Sequence, residues 1–306
     1  MTRRVLVSAP YFLPVLEEFR PRLEREGVEV VRARVLERLS EEELLPLVGA
    51  IDGALCGDDQ FTERVMREAP RLKVISKWGT GIDSIDARAA AELGIRVYNT
   101  PGAFTAPVAD TVLGYVLCFA RRLPWMDRDV RRGLWAKAEA VSLCECTLGV
   151  VGVGNIGRAV VRRARAFGMT VIGADPAPPP RSFVAETGLR LATLRALLEE
   201  SDFVSLNCDL NPTSFHLMGR AELALMKGSA YLVNTARGAL VDEPALAEAL
   251  REGRIAGAAL DVFEAEPLPP DSPLRSLDSC LLAPHNANSD PAARRRVHES
   301  TIANLL

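Results

Sequence analysis

Residues 146–176, CTLGVVGVGNIGRAVVRRARAFGMTVIGADP, constrain the fold of this chain more than any other stretch. The run TLGVVGV is apolar and rich in valine, which suits a strand buried on both faces. Gly152, Gly154 and Gly157 follow at the spacing G-x-G-x-x-G, and apolar positions then recur at helical intervals as far as Gly168. A second strand pattern, TVIGAD, ends in an acid. Strand, glycine turn, helix and strand in succession make one β-α-β unit, and such units build parallel sheets with right-handed crossovers. A glycine triplet alone is a weak signal; between these two strands it is specific. Gly152 allows the tight turn, Gly154 lets a pyrophosphate approach the backbone, and Gly157 permits close helix–strand packing. The helix opening at Asn155 and Ile156 offers amide donors and a positive dipole end. Asp175 lies 18 residues beyond Gly157, where a carboxylate accepts hydrogen bonds from ribose hydroxyls. Its charge opposes a 2′-phosphate, so the motif predicts NAD rather than NADP, with Arg181 a weak counterweight.

The rest of the chain repeats this alternation. RVLVSAP, VEVVRARV, GALCG, LKVISKWG and IRVYNTPG read as strands, with helical patterns in LPVLEEFRPRLEREG and DQFTERVMREAP. A long helical run, FTAPVADTVLGYVLCFARRLPWMDRDVRRGLW, is apolar enough to need cover from a neighbouring domain or a second subunit. After the glycine unit, DFVSLNC, SAYLVNTARG, IAGAALDVF and CLLAPHN each read as strands, and PAARRRVHESTIANLL as a closing helix. At 306 residues the chain exceeds a typical single core. The expectation is an α/β protein of two doubly wound parallel-sheet (Rossmann-like) domains. Residues 1–98 form a substrate domain, 99–285 an inserted NAD-binding domain, and 286–306 a helix returning to the first.

Composition excludes several classes. A net charge of −3, without a basic run, gives no general attraction for nucleic acid or anionic membrane. The longest apolar segment, TVLGYVLCFA, is too short to span a bilayer. MTRRVLVSAPYF reads as an opening strand rather than a signal peptide. The six cysteines show neither zinc spacing nor C-x-x-C, so no metal is expected, and reduced thiols in a cytoplasmic protein are the reading. The excess of arginine over lysine fits a thermophile or a GC-rich genome equally.

Three strand ends carry the reactive groups. LVNTARGALVDEPAL places Arg237 after a strand, where a guanidinium can hold a carboxylate through two parallel hydrogen bonds. AALDVFEAEPLP ends another strand with Asp261, Glu264 and Glu266, and LLAPHN ends a third with His285. Strand C-termini face the ligand in an open α/β sheet. A guanidinium, carboxylates and an imidazole thus come to one rim. Of three histidines, His216 lies on the approach to a helix and His298 in the last helix; only His285 has the strand-end setting.

Taken in order, SKWGTGIDSID, NTPGAFTAPVAD, the glycine motif, NTARGALVDE, LDVFEAEPL and APH resemble the D-isomer-specific 2-hydroxyacid dehydrogenase family, over essentially the whole chain. The resemblance implies NAD-dependent hydride transfer on a small D-2-hydroxy or 2-oxo acid. It implies that Arg237 binds the substrate carboxylate, His285 is the acid/base and Glu266 tunes it. It implies cofactor contacts from Thr235, Ala236 and Asp261, and substrate contacts from Thr80 and Gly81. Glu264 reads as a solvated loop acid. A homodimer is implied too, with Trp135 near a subunit contact or else a buried packing residue.

The chain departs from the family pattern in several places. Asn207-Cys208-Asp209-Leu210-Asn211 replaces His-x-Pro-Leu-Thr beside the adenine; Phe104 replaces asparagine; Asn-Ala-Asn follows His285. Phosphoglycerate dehydrogenases place an arginine in the loop where this chain has Asp58 and Asp59, which would repel a phosphate; Lys77 could compensate. A small unphosphorylated acid is therefore expected. With the chain ending at Leu306, no appended regulatory domain is expected. The alternatives are D-3-phosphoglycerate dehydrogenase, an NAD(H)-sensing corepressor-like binding protein, and a phosphite oxidiser. Formate enzymes of the family carry glutamine where this chain has Glu266.

Overall fold

The computed structural model describes residues 2–306 and divides into two compact units. One holds the chain up to Phe104 together with Ser289–Leu306; the other is Thr105–Asn288. The crossings fall slightly later than the expected ones at 98/99 and 285/286, because Phe104 packs into the first unit against Trp78, with ring centroids 5.6 Å apart.

The first unit carries five strands: β1 (Arg3–Val7), β2 (Val28–Arg32), β3 (Gly53–Cys56), β4 (Val74–Lys77) and β5 (Arg96–Tyr98). They pair in parallel in the order β2-β1-β3-β4-β5. Every residue of β3 and β4 is buried, the pattern of a parallel strand covered on both faces. The closing helix, Pro291–Leu305, begins at Asp290, whose carboxylate accepts the Ala293 amide. It docks in this unit through polar as well as apolar contacts. The Ser76 hydroxyl donates to the Thr301 carbonyl at 2.8 Å, and the Trp78 indole donates to His298 Nδ1 at 2.9 Å. The DQFTERVMREAP helix is shorter than its pattern, only Glu63–Arg67, with the Thr62 hydroxyl capping it.

The second unit holds β6 (Thr147–Val151), β7 (Thr170–Ala174), β8 (Arg190–Leu191), β9 (Phe203–Leu206), β10 (Tyr231–Asn234), β11 (Gly257–Leu260) and β12 (Cys280–Leu282). All pairings are parallel, in the order β12-β11-β10-β9-β6-β7-β8. Two-residue β8 is too short to leave a pattern in the sequence. The order reverses between β6 and β9, so the C-terminal ends of those strands form the switch point at which open α/β sheets bind ligands. The long helical run is broken. It forms Thr105–Ala120, stops where Arg122 takes a left-handed φ of 57°, and resumes as Leu123–Arg131. Val112, Leu113, Val116 and Phe119 of the first helix pack with Val150, Val160, Val161 and Phe203. The cover that so apolar a helix needs comes from its own unit.

His298 is the buried titratable group in the docking of the closing helix. Burial, then the charge of Arg295, holds its imidazole below the ordinary value of 6.5; Arg294 acts with Arg295, while Glu18 and Glu299 oppose them. The unfolded chain therefore protonates this ring before the folded chain does. Stability from the neutral ring is present above pH 6.5 and is lost as pH falls below it. His298→Gln offers the indole an acceptor that does not titrate. The fall in Tm between pH 7.5 and pH 5 should be smaller in this variant than in the wild type, as read by thermal melts; equal slopes would remove His298 from the account.

Candidate active site

β10, β11 and β12 are neighbours in register, with Asn234 opposite Leu260 and Leu260 opposite Leu282, so their following loops leave at one level. After β10, buried Asn234 shapes the turn: its amide nitrogen donates to the Arg237 carbonyl at 2.8 Å and its oxygen accepts the Ala236 amide at 3.1 Å. Arg237 is half-buried and donates from Nη1 to the Ala236 carbonyl at 2.9 Å. Gly238 can be nothing else: a Cβ there would stand 1.9 Å from the Phe263 carbonyl carbon. The Arg237 turn is thus pressed directly on the loop that follows β11.

That loop carries three acids with different surroundings. Asp261 is buried; its two carboxylate oxygens accept the amides of Asn286 and Ala287 at 2.9 and 2.8 Å, and its carbonyl accepts the His285 amide at 2.7 Å. Burial pushes its carboxyl above the ordinary range, against the pull of those amides and of His285. Glu266 accepts the Phe263 amide on Oε1 at 2.9 Å and meets His285 Nδ1 on Oε2 at 2.8 Å. An ionised carboxylate only accepts, which puts the ring proton on Nδ1 and leaves Nε2 as the basic nitrogen. Glu264 is exposed, as expected of a loop acid, but it is not merely solvated. It accepts the Glu243 amide at 3.1 Å, and its own amide donates to Glu243 at 2.6 Å. Its Oε1 also lies 3.2 Å from Nε2 of His216, whose setting the sequence did not disclose.

At the switch point the glycine turn has the shape its spacing predicts. Gly152 sits at φ +86°, where a Cβ would strike the Asn207–Cys208 backbone, and a Cβ on Gly157 would stand 2.0 Å from the Gly152 carbonyl oxygen. Beside Gly154 the space is open. The helix Asn155–Ala166 starts there without a side-chain cap, leaving its first amides to a ligand. Asp175 accepts the Val153 amide on one oxygen and the Ala177 amide on the other, each at 2.7 Å, which orients the carboxylate and leaves lone pairs for hydroxyls. The Thr235 hydroxyl is buried without a hydrogen-bond partner, a vacancy that a cofactor group can fill. These residues fit a dinucleotide. Asn207 turns its amide back to Ser205, and burial raises the neighbouring Cys208 thiol to about 11, so the only charged side chain in this departure from the family pattern is the exposed Asp209.

Thr80 and Gly81 belong to the first unit, in a turn opened by Gly79 at φ +119°. The Thr80 hydroxyl donates to the Thr100 carbonyl, and Asn99 donates to the Thr80 carbonyl at 2.6 Å. The two aspartates nearby separate in role, which corrects the reading of both as ligand-facing. Asp59 is fully buried and accepts the Ser8 hydroxyl and the amides of Leu39 and Gly57, so it ties loops together. Asp58 pairs with buried Lys77 at 3.1 Å. Phe104 fills the contact with Trp78 and has no polar task. Trp135 is 89% exposed, not a packing residue of its own unit. Among the described residues no His, Cys, Asp and Glu side chains group as a metal site, and no helix is long and apolar enough to cross a membrane.

Comparison with known proteins identifies the family. Residues 113–287 match the model for the D-isomer specific 2-hydroxyacid dehydrogenase NAD binding domain. The glyoxylate reductase of Korarchaeum cryptofilum (strain OPF8) is 43% identical over 81% of this chain and 76% of its own length. The D-3-phosphoglycerate dehydrogenase of Methanocaldococcus jannaschii is also 43% identical, over 87% of this chain but only 51% of that longer protein. The crystal structure of D-lactate dehydrogenase from Aquifex aeolicus, complexed with NAD and lactic acid, superposes with a TM-score of 0.88 at 27% identity, covering 98% of this chain and 93% of the other. The chain belongs to the D-isomer specific 2-hydroxyacid dehydrogenase family, NAD-dependent oxidoreductases of two Rossmann-like domains.

Proposed function

We propose that the protein interconverts a small unphosphorylated 2-oxo acid and its D-2-hydroxy acid, with Arg237, Glu266 and His285 as its working groups. The observation that carries this is the 2.8 Å His285–Glu266 pair, on a strand end two places from the one that carries Arg237. Arg237 holds the substrate carboxylate with its fork of donors. His285 Nε2 takes the hydroxyl proton in oxidation and returns it in reduction, while Glu266 fixes the tautomer and stabilises the imidazolium. Bound nicotinamide supplies or accepts the hydride at C2. Gly152, Gly154, Asn155, Ile156 and Gly157 hold the pyrophosphate, and Asp175 favours NAD over NADP by repelling a 2′-phosphate. Thr235, Ala236 and Asp261 are assigned to the cofactor, with the unpartnered Thr235 hydroxyl as the strongest support. For Thr80 and Gly81 as substrate contacts the support is the family resemblance.

NADH oxidation should proceed with glyoxylate, hydroxypyruvate or pyruvate. His285→Gln should lower kcat by roughly 10²–10⁴-fold, the usual contribution of a general acid–base group. Arg237→Lys should raise KM for the oxo acid, since lysine cannot reproduce the bidentate contact. Turnover unaffected by either change would refute the assignment.

The Asp58–Lys77 pair carries the substrate preference. Lys77 is compensated by Asp58, so this loop presents no net positive charge to a phosphate. Asp58→Asn removes the carboxylate paired with the ammonium and should raise kcat/KM for phosphohydroxypyruvate relative to glyoxylate by about tenfold, a difference of about 1.4 kcal/mol. A wild-type enzyme that already prefers phosphohydroxypyruvate would instead support the phosphoglycerate dehydrogenase reading.

We further propose a homodimer. Leu123, Val130, Leu134, Trp135 and Val141 are all exposed, on and just after the helix Leu123–Arg131. Exposed apolar side chains this frequent along one segment support an interaction face there. Trp135→Asp should convert the dimer to monomer in light scattering while leaving the far-ultraviolet circular dichroism unchanged; a monomeric wild type would end the proposal.

A further inference from the structure

Three non-glycine residues have left-handed φ among the described residues: Arg122, His216 and His285. The last belongs to the working groups. His216, at φ 50°, does not, and a non-glycine residue in this conformation costs roughly 1–2 kcal/mol that the surroundings must offset. Such strain persists where structure over-determines it, often near a functional site.

Its contacts run in two directions. On the main chain, the His216 amide donates to the Ala239 carbonyl at 2.8 Å, and the Met218 amide to the Leu240 carbonyl at 2.9 Å. Ala239 and Leu240 form the short turn Gly238–Leu240 that begins directly after Arg237, and Leu240 donates its own amide to the Arg237 carbonyl. On the side chain, Nε2 is buried and lies 3.2 Å from Glu264 Oε1, a close polar contact that falls short of hydrogen-bond geometry. Glu264 stands two residues before Glu266 and is clamped by the reciprocal amide contacts with Glu243. The Phe215 ring stacks on the imidazole with centroids 4.0 Å apart and fixes its plane.

We propose that His216 is a positioning residue for the reaction. It joins the turn that carries Arg237 to the loop that carries Glu266, and so sets the guanidinium and the acid–base pair at a fixed separation. The inference rests on the roles given above to Arg237, Glu266 and His285. The close approach at Gly238 and the Glu243–Glu264 amide contacts already tie the two loops; through its amide on Ala239 and its ring beside Glu264, His216 adds a further tie between them. Substrate held by Arg237 must present its hydroxyl to His285, and displacements of about an ångström are costly in such geometries.

Two variants test this without disturbing the backbone. Asparagine tolerates left-handed φ but is too short to reach the carboxylate, so His216→Asn removes only the ring. Glu264→Gln keeps an oxygen for the Glu243 amide and removes the charge. Each should lower kcat/KM for the oxo acid by on the order of tenfold, with kcat falling and KM rising together, while NADH affinity by fluorescence titration stays at the wild-type value. The double variant should be no worse than either single one, because both break the same contact. Wild-type kcat and KM in Glu264→Gln, or effects that multiply in the double variant, would overturn the proposal. A purely structural role would lower Tm and leave the kinetic constants alone. If His216→Asn folds poorly, Glu264→Gln carries the test by itself. Should His285→Gln and Arg237→Lys abolish turnover while Glu264→Gln does not, this inference fails and the functional reading stands.

Discussion

One buried carboxylate organises the rim of the second unit. Asp261 ends β11, and the chain leaving β12 folds onto it: two amides bond its oxygens and the His285 amide bonds its carbonyl. Three donors on one residue hold the chain from 285 to 287 against the loop after β11 and sustain the left-handed φ of 49° at His285. A free peptide would not hold an imidazole in that conformation. Burying a carboxylate is costly unless donors satisfy it, and here the donors and the constraint on His285 are the same groups. The raised pKa of Asp261 shows that the two amides only partly offset its burial. Asp261 thus fixes the backbone that presents His285 to Glu266.

Glu266 shows the same chemistry in another setting. It is partly exposed and takes one backbone amide, which leaves its second oxygen for His285. Two carboxylates five residues apart therefore divide the work, one fixing the backbone and the other polarising the ring. Parallel strands in register make this possible, because β10, β11 and β12 end at one level. Gly238 brings the first of their loops into van der Waals contact with the second.

Much of this was legible in the sequence, for identifiable reasons. The glycine turn was readable because each glycine meets a separate steric demand, and two of the three, Gly152 and Gly157, have no room for a Cβ. The strand ends were readable because buried parallel strands are uninterrupted apolar runs whose last residue is easily located. What stayed hidden depends on contacts distant in sequence. Nothing in GDD distinguishes Asp58 from Asp59, since one becomes a buried hub only when Ser8 and Leu39 arrive beside it. The break at Arg122 falls inside an unbroken helical pattern. His216 looked like one more residue on the way to a helix, because its partner lies 48 residues further along the chain.

These hidden contacts share a physical character. Asp59 and His298 are polar groups placed where water is largely excluded, and they, like the more exposed His216–Glu264 pair, link segments that the hydrophobic pattern alone would leave free to shift. Apolar packing sets which face of a strand or helix is inward, but its energy varies slowly as one element slides past another. Hydrogen bonds and charge contacts vary steeply with distance and angle, so a few of them can select one register among several of similar burial. In this family member the sheet and its apolar runs place the reactive groups on one rim. Polar contacts between distant segments then fix how the loops that carry Arg237, Glu266 and His285 leave the sheet.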